Sequence, residues 1–345
     1  MSNKQKLLDP LRQIESSHGL GIETCEIVKE MILKSKATNV EDLKQELTKF
    51  GQKVMKVHPL EFTVENVIRR INAIIDEKQE KLSLQKNYKL SQLNLKIEQN
   101  KEINQQQDSS LKLERQESDK LNVKQQFQLE KKQFSEDVDS LVYELTEEYT
   151  KAIEKYALEH VNENEVVLTY EYSVTVEKFL KKARFSRQFE VIILVKEQNS
   201  EAYIMAENLT KAGITAFLAP FSAAYAYMPR VNKIFLGCHA IMKNGGILGN
   251  SGSLMVMTAA KAYKIDVIIL ASSIKLTNHF SFEQNTYNQL LNPKDILPEE
   301  NDLKNPVSII AAKYDYIAPE YITLYITNSG EHSPNFIYRL FNEYY

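Results

Sequence analysis

The sequence predicts an α/β protein: a small N-terminal helical bundle followed by a mostly parallel sheet with helices on both faces. Three observations carry that prediction. No glycine falls between Gly51 and Gly213 and no proline between Pro59 and Pro220, yet seven of each follow from Gly213 on, so the chain changes grammar partway along its 345 residues. Apolar residues keep helical spacing through the first part; after residue 165 they gather into short runs that alternate with helical segments. Four glycines (Gly245, Gly246, Gly249 and Gly252) then crowd into eight positions between an apolar run and a helix-like segment.

Helical spacing links Ile27, Met31 and Ile32, then Leu43, Leu47, Phe50 and Val54, then Val64, Val67, Ile68, Ile71, Ile74 and Ile75. Pro59 separates the last two groups, and Glu61 or Thr63 can open the following helix. Residues 1–80 are read as the helical domain. Residues 81–135 are read as a polar, low-complexity insertion, because a run such as 104–110 offers almost nothing to bury. Such a segment is expected to be disordered or in part a solvated helix. Its leucines (Leu82, Leu84, Leu90, Leu93, Leu95, Leu111, Leu113 and Leu121) do not hold a heptad, which speaks against a coiled coil. From Val138 to His160 the helical pattern returns, and 136–164 is read as a connecting helix.

The remaining 165–345 form the α/β domain. Strands are predicted at 166–169, 190–195, 215–219, 233–236 and 267–271, and helices at 174–183, 201–212, 221–227 and 253–264. Ser173 suits a helix N-cap and Gly213 a C-terminal stop. Alternation of this kind gives a Rossmann-like sheet, whose ligands sit beyond the carboxyl ends of the strands. Asn244, Gly245, Gly246, Gly249, Asn250, Gly252 and Ser253 lie at such an end. Glycines let backbone N–H groups approach an anion, and a helix N-terminus favours negative charge. These residues are therefore a candidate phosphate cradle or ligand pocket. The stretch holds no acid, base or nucleophile beyond hydroxyls, so it has the shell of a sugar-phosphate site without the chemistry. Three readings stay open: a bound phosphate-bearing ligand, a relic that packs helix on sheet, or a subunit contact. The dinucleotide fingerprint does not fit, because seven residues intervene after Gly237.

A net charge of −3 gives no polyanion footprint, which argues against direct binding of nucleic acid. Cys25 and Cys238 fit neither a disulfide framework nor a metal spacing. His18, His58, His160, His239, His279 and His332 show no ligand spacing either, so no metal or cofactor is expected. No apolar run nears the ~20 residues of a membrane span, and the first one is too short for a signal peptide. A soluble, cytoplasmic protein is expected.

The run Pro229-Arg230-Val231-Asn232-Lys233-Ile234-Phe235-Leu236-Gly237, preceded by Gly213-Ile214 and followed by Asn244-Gly245-Gly246, resembles the regulatory subunits of translation initiation factor 2B. The tail Tyr314-Asp315-Tyr316-Ile317-Ala318-Pro319-Glu320, continuing to Asn328, is similar to the beta branch of that family. So are 334–340 and 169–177. The resemblance implies a non-catalytic subunit of the guanine-nucleotide exchange factor for initiation factor 2. It implies association with alpha and delta relatives through the α/β domains, and contacts to gamma and epsilon subunits, epsilon carrying the exchange activity. It also implies that the helical domain helps sense initiation factor 2 phosphorylated on its alpha subunit.

The same fold is shared with methylthioribose-1-phosphate and ribose-1,5-bisphosphate isomerases. In those enzymes the glycine segment carries a catalytic Asp and an Asn-Lys pair, and a catalytic Cys follows the first strand of the domain. Here the Asp position is Gly246, the pair falls on Gly249 and Asn250, and 169–172 contains no Cys. An aldose–ketose isomerisation needs a group that moves a proton between adjacent carbons. The departures argue against an isomerase, which stays as the competing class beside a sugar-phosphate or nucleotide sensor.

Several residues carry a sharp and a plain reading. Glu171 stands near the missing Cys as a candidate base, although a carboxylate there is more commonly a loop or interface residue. Cys238 and His239 are adjacent, but neighbours on a strand point to opposite faces, so a buried, inert thiol is expected. Tyr314, Tyr316, Tyr321, Tyr325, Phe336 and Tyr338 are a candidate subunit interface, with core packing accounting for part of the cluster. Lys29, Lys34, Lys36, Lys53, Lys56, Arg69 and Arg70 could meet a phosphorylated or acidic partner; the plainer reading is a solvated helix face.

Overall fold

A computed structural model describes residues 17–57, 59–99, 111–196, 201–292 and 307–344. The start of the chain and the polar run 104–110 lie outside the described residues. The chain divides into two compact units, Met1–His58 with Val67–Tyr143, and Pro59–Asn66 with Glu144–Tyr345.

The first unit is helical: α1 (Ser17–Lys34), α2 (Val40–Val57), α3 (Phe62–Gln99) from Val67 on, and α4 (Leu111–Tyr143). The apolar positions that share a helical face are the buried ones: Val28 and Ile32, Leu43, Leu47 and Val54, Val67, Ile71 and Ile75, with Phe134, Val138 and Leu141 from α4. Asn39 opens α2 by accepting the N–H of Asp42 at 2.7 Å, and the acids Glu41 and Asp42 occupy its first turn. Helix continues through 81–99 in α3 and 111–135 in α4. Gln, Lys, Glu and Leu favour helix on backbone grounds even where little is buried.

Lys131 of α4 is buried, and burial lowers its pKa. Its ammonium donates to the carbonyls of Ser35 (2.9 Å) and Ala37 (3.2 Å), just beyond the end of α1. Those carbonyls have no helical partner to accept from, so the lysine finishes the turn. Replacing it leaves two half-buried acceptors unmatched. Lys131→Met is therefore expected to cost about 2 kcal/mol. Urea unfolding of the full chain should show a lower midpoint with an unchanged slope.

The second unit opens with a π-helical turn (Glu144–Glu148) that runs directly into α5 (Tyr149–Glu154), and a short α6 (Ala157–His160) follows after a turn at 155–156. Then follow β1 (Val166–Tyr170), α7 (Val174–Arg184), β2 (Glu190–Val195), α8 (Ala202–Lys211), β3 (Thr215–Pro220), α9 (Ala224–Tyr227) and β4 (Lys233–Leu236). Ser173 caps α7 by accepting the N–H of Val176, and Gly213, at φ +82°, turns the chain out of α8. The rest is β5 (Ala240–Ile241), β6 (Ile247–Asn250), α10 (Ser253–Tyr263), β7 (Asp266–Leu270), β8 (Tyr314–Ile317), β9 (Leu324–Thr327), β10 (Gly330–His332) and α11 (Ile337–Tyr344).

Seven strands form one sheet in the order β3-β2-β1-β4-β7-β9-β10, with every neighbour parallel except β10. Period-two alternation splits its side chains between two cores. Ile192 and Leu194 of β2 face the side that holds α10 and α11; Val191, Ile193 and Val195 face α7 and α8. Strand order reverses between β1 and β4, the switch point where open sheets place ligands. A second sheet, β5-β6-β8, is antiparallel and was not predicted. Among the described residues no helix is long and apolar enough to cross a membrane.

Candidate functional site

The glycine stretch is not one turn. It is a hairpin turn, a strand and a helix entry in succession. At 242–246 the chain reverses between β5 and β6, closed by Met242 N–H to Gly246 O at 2.8 Å. Asn244 latches that turn: its amide donates to Ser281 O (2.6 Å) and the Tyr316 hydroxyl (2.9 Å), and its oxygen accepts from Gly246 N (3.2 Å). The Gly245 carbonyl accepts from the buried Tyr325 hydroxyl at 2.7 Å. Ile247 and Leu248 then bury on opposite faces, one in the core under α10, the other with Ala240, Met242 and Tyr316, which is why this segment is a strand. Gly249 lies opposite Asp315, and Asn250, exposed, opposite Tyr314.

The helix entry is the part that could hold an anion. Gly252, at φ +100°, and Leu254 do point their N–H groups at a carboxylate oxygen, but it belongs to this chain: Asp315 Oδ2, at 2.8 and 3.1 Å. Asp315 of β8 thus caps the helix entry of the candidate cradle. Ser253 is buried beneath it. At the switch point Tyr170 donates its hydroxyl to Ser251 O at 2.5 Å, and a Cβ on Gly237 would fall 2.5 Å from Ser173 Oγ. The crevice is lined by contacts of the chain with itself.

The positions raised as catalytic candidates from the sequence are each otherwise engaged. At Gly246 a Cβ would lie 2.7 Å from the Ile317 carbonyl oxygen and 2.8 Å from the Tyr316 ring. Glu171, at φ +55°, accepts the N–H of Lys196 at 2.5 Å and serves the loop after β1. Burial pushes the Cys238 thiol up to about 11, with Lys275 partly opposing, so it is not a ready nucleophile. Among the described residues no cluster of three His, Cys, Asp or Glu could hold a metal ion.

The aromatic tail divides. Tyr314 and Tyr316 are buried, and Tyr325 has no exposed surface at all, so these three cannot present a face to a partner. Tyr321 and Phe336 are half-buried, beneath Lys261 (4.3 Å) and stacked on His332 (5.3 Å). Tyr338 is 52% exposed. Of the basic residues, Lys29 and Arg70 pair with Asp139 and Glu77 and Lys34 with Glu30, while Lys36, Lys53 and Lys56 are exposed.

Sequence reasoning missed Asp315, and it missed His239. Neutral His239 donates from Nε2 to Leu60 O (2.9 Å) and accepts at Nδ1 from the Tyr314 hydroxyl (3.3 Å), with the rings stacked at 4.4 Å. Neither pairing has a signal in local spacing.

Two outcomes follow. Asp315→Ala removes one acceptor from two N–H groups and should cost about 1–2 kcal/mol in thermal or urea unfolding. For His239, burial holds the pKa down to about 4 against the ordinary 6.5. The unfolded chain then takes up this proton first as pH falls, so stability drops between pH 6.5 and 4, by about 3 kcal/mol in total. His239→Gln should flatten the urea midpoint over that window; an unchanged slope would refute the neutral assignment.

Comparison with known proteins is consistent along nearly the whole length. The family model for the initiation factor 2 subunit family matches residues 13–334. Translation initiation factor eIF2B subunit beta of Dictyostelium discoideum is 30% identical over 373 aligned positions, covering 97% of this chain and 92% of that protein. The Schizosaccharomyces pombe protein of the same name is 29% identical, with 97% and 93% covered. In fold, the crystal structure of eIF2B beta from Chaetomium thermophilum superposes with a TM-score of 0.74 at 21% identity, covering 99% of this chain and 91% of that one. A chain of the tetrameric eIF2B-beta2-delta2 complex from the same organism gives 0.72 at 20% identity, with 99% and 94% covered.

Proposed function

The chain belongs to the initiation factor 2 subunit family, and we propose that it works as a beta-type regulatory subunit of the exchange factor for initiation factor 2, with no catalysis of its own. The observation that carries this reading is likeness to two proteins named eIF2B subunit beta across 97% of the chain. Geometry supports it from the other side. Glycine fills the acid–base position of the related isomerases, walled in by Ile317 and Tyr316, and Asp315 takes the anion-binding N–H groups.

In this reading the α/β unit associates with alpha and delta relatives, and further contacts join gamma and epsilon, with exchange catalysed in epsilon. The helical unit contributes to sensing initiation factor 2 phosphorylated on its alpha subunit, which acts as a change in affinity or pose of the bound factor. Lys36, Lys53 and Lys56 are the basic residues most open to an acidic partner. No cofactor or nucleic acid is involved, and the site of action is the cytoplasm.

Gentle purification of the tagged chain from its own cells, followed by native mass spectrometry, tests the proposal. An assembly containing alpha, gamma, delta and epsilon relatives is the expected result. A lone homodimer carrying a phosphosugar would overturn it. Within the assembly, Tyr338 and the 79% exposed Phe282 are two aromatic side chains open to bury against a neighbour. Tyr338→Ser with Phe282→Ser should weaken subunit association about tenfold while leaving the thermal midpoint of the isolated chain unchanged.

A further inference from the structure

Residues 59–66 are flanked on both sides by sequence of the helical unit, yet they belong to the α/β unit. Their contacts exceed what a connector needs, since connectors are ordinarily exposed and polar. The Leu60 carbonyl accepts from His239. Phe62, 2% exposed, is buried in one apolar cluster with Ala240 of β5, Leu248 of β6 and Tyr316 of β8, so the cluster draws on all three strands of the second sheet. The rings of His279 and Tyr287 close over Phe62 at 5.1 and 5.7 Å. Asn66, equally buried, donates its amide to the carbonyls of Ile274 (2.7 Å) and Leu276 (2.5 Å). Two acids on the segment face two histidines: Glu61 is 3.7 Å from His239 and Glu65 3.6 Å from His279. The segment is thus fixed at Leu60, at Phe62 and at Asn66.

We propose that residues 59–66 are a coupling strap: through them, a change in the helical unit reaches the second sheet and the Asn244 hairpin. The inference rests on the regulatory reading above. Its physical basis is continuity. Phe62 and Asn66 are the first turn of α3, an unbroken helix that runs on to Gln99, so any rotation or tilt of that helix is imposed on Phe62 and Asn66 together. Phe62 is buried against β5, β6 and β8, and β5 and β6 flank the hairpin that Asn244 latches to Ser281 and Tyr316. The strap is held by one apolar ring and a few polar bonds, far less than the two cores that flank the seven-stranded sheet, so it is released before that sheet melts.

Hydrogen exchange on the full chain tests this, comparing the parent with Asn66→Ala and the milder Phe62→Leu. Exchange is expected to rise at least tenfold in 59–66, 240–248 and 314–317, with 166–170 and 190–195 unchanged. A rise confined to 59–66, or spread evenly over β1 and β2, would overturn the coupling. The same variants in the intact assembly give the second readout. Assembly should persist, and the response of exchange to phosphorylated initiation factor 2 should fall at least fivefold. If the parent assembly itself ignores phosphorylation, the regulatory reading fails. If the parent responds and Asn66→Ala responds equally, the strap alone is refuted.

Discussion

One carboxylate fastens the small sheet of the α/β unit to the helix that packs on the large one. Asp315 belongs to β8 of the small sheet, and both of its bonds go to the entry of α10, which packs on the seven-stranded sheet. Around it, every close approach needs a missing side chain. Gly252 adopts a left-handed conformation and lies against the Tyr170 hydroxyl; Gly249 lies against Ser253 and Ile317. The glycines that suggest a ligand from the sequence make close approaches within the protein itself. An N–H pair aimed at an anion needs an anion, but nothing requires it to come from solution.

That substitution explains which parts of the structure were legible. Strands β1 to β4 and β7, with helices α7, α8 and α10, follow from periodicity and from the caps at Ser173 and Gly213, because those signals are local. The second sheet was hidden because Gly249 and the flanking glycines break the alternation that Ile247 and Leu248 begin. Asp315 reads as one acid in an aromatic tail until the fold brings it to residues some sixty positions earlier. Pro59 reads as a break between two helices, and so it is. Nothing in the spacing says that the eight residues from Pro59 on join a different unit from their neighbours.

The aromatic tail shows the same limit. Tyrosine density is compatible with an interface or a core, and composition does not separate them. Burial does. Desolvation raises the pKa of Tyr314, Tyr316 and Tyr325, and Tyr325 uses its hydroxyl to hold the Gly245 carbonyl. These side chains act as long polar struts through apolar packing, each with its oxygen matched. Among the described side chains of the tail, Tyr338 is the large ring that reaches the surface.

The wall around Gly246 bears on how this chain can change. The atom nearest the position of an added Cβ is a backbone oxygen of Ile317, which no rotamer change can move aside. A carboxylate at 246 would first require β8 to shift, and β8 is held through Asp315 and through its pairing with β6. The fold itself therefore selects against any side chain at this position: an acid placed there would meet a folding penalty before it could contribute to any rate.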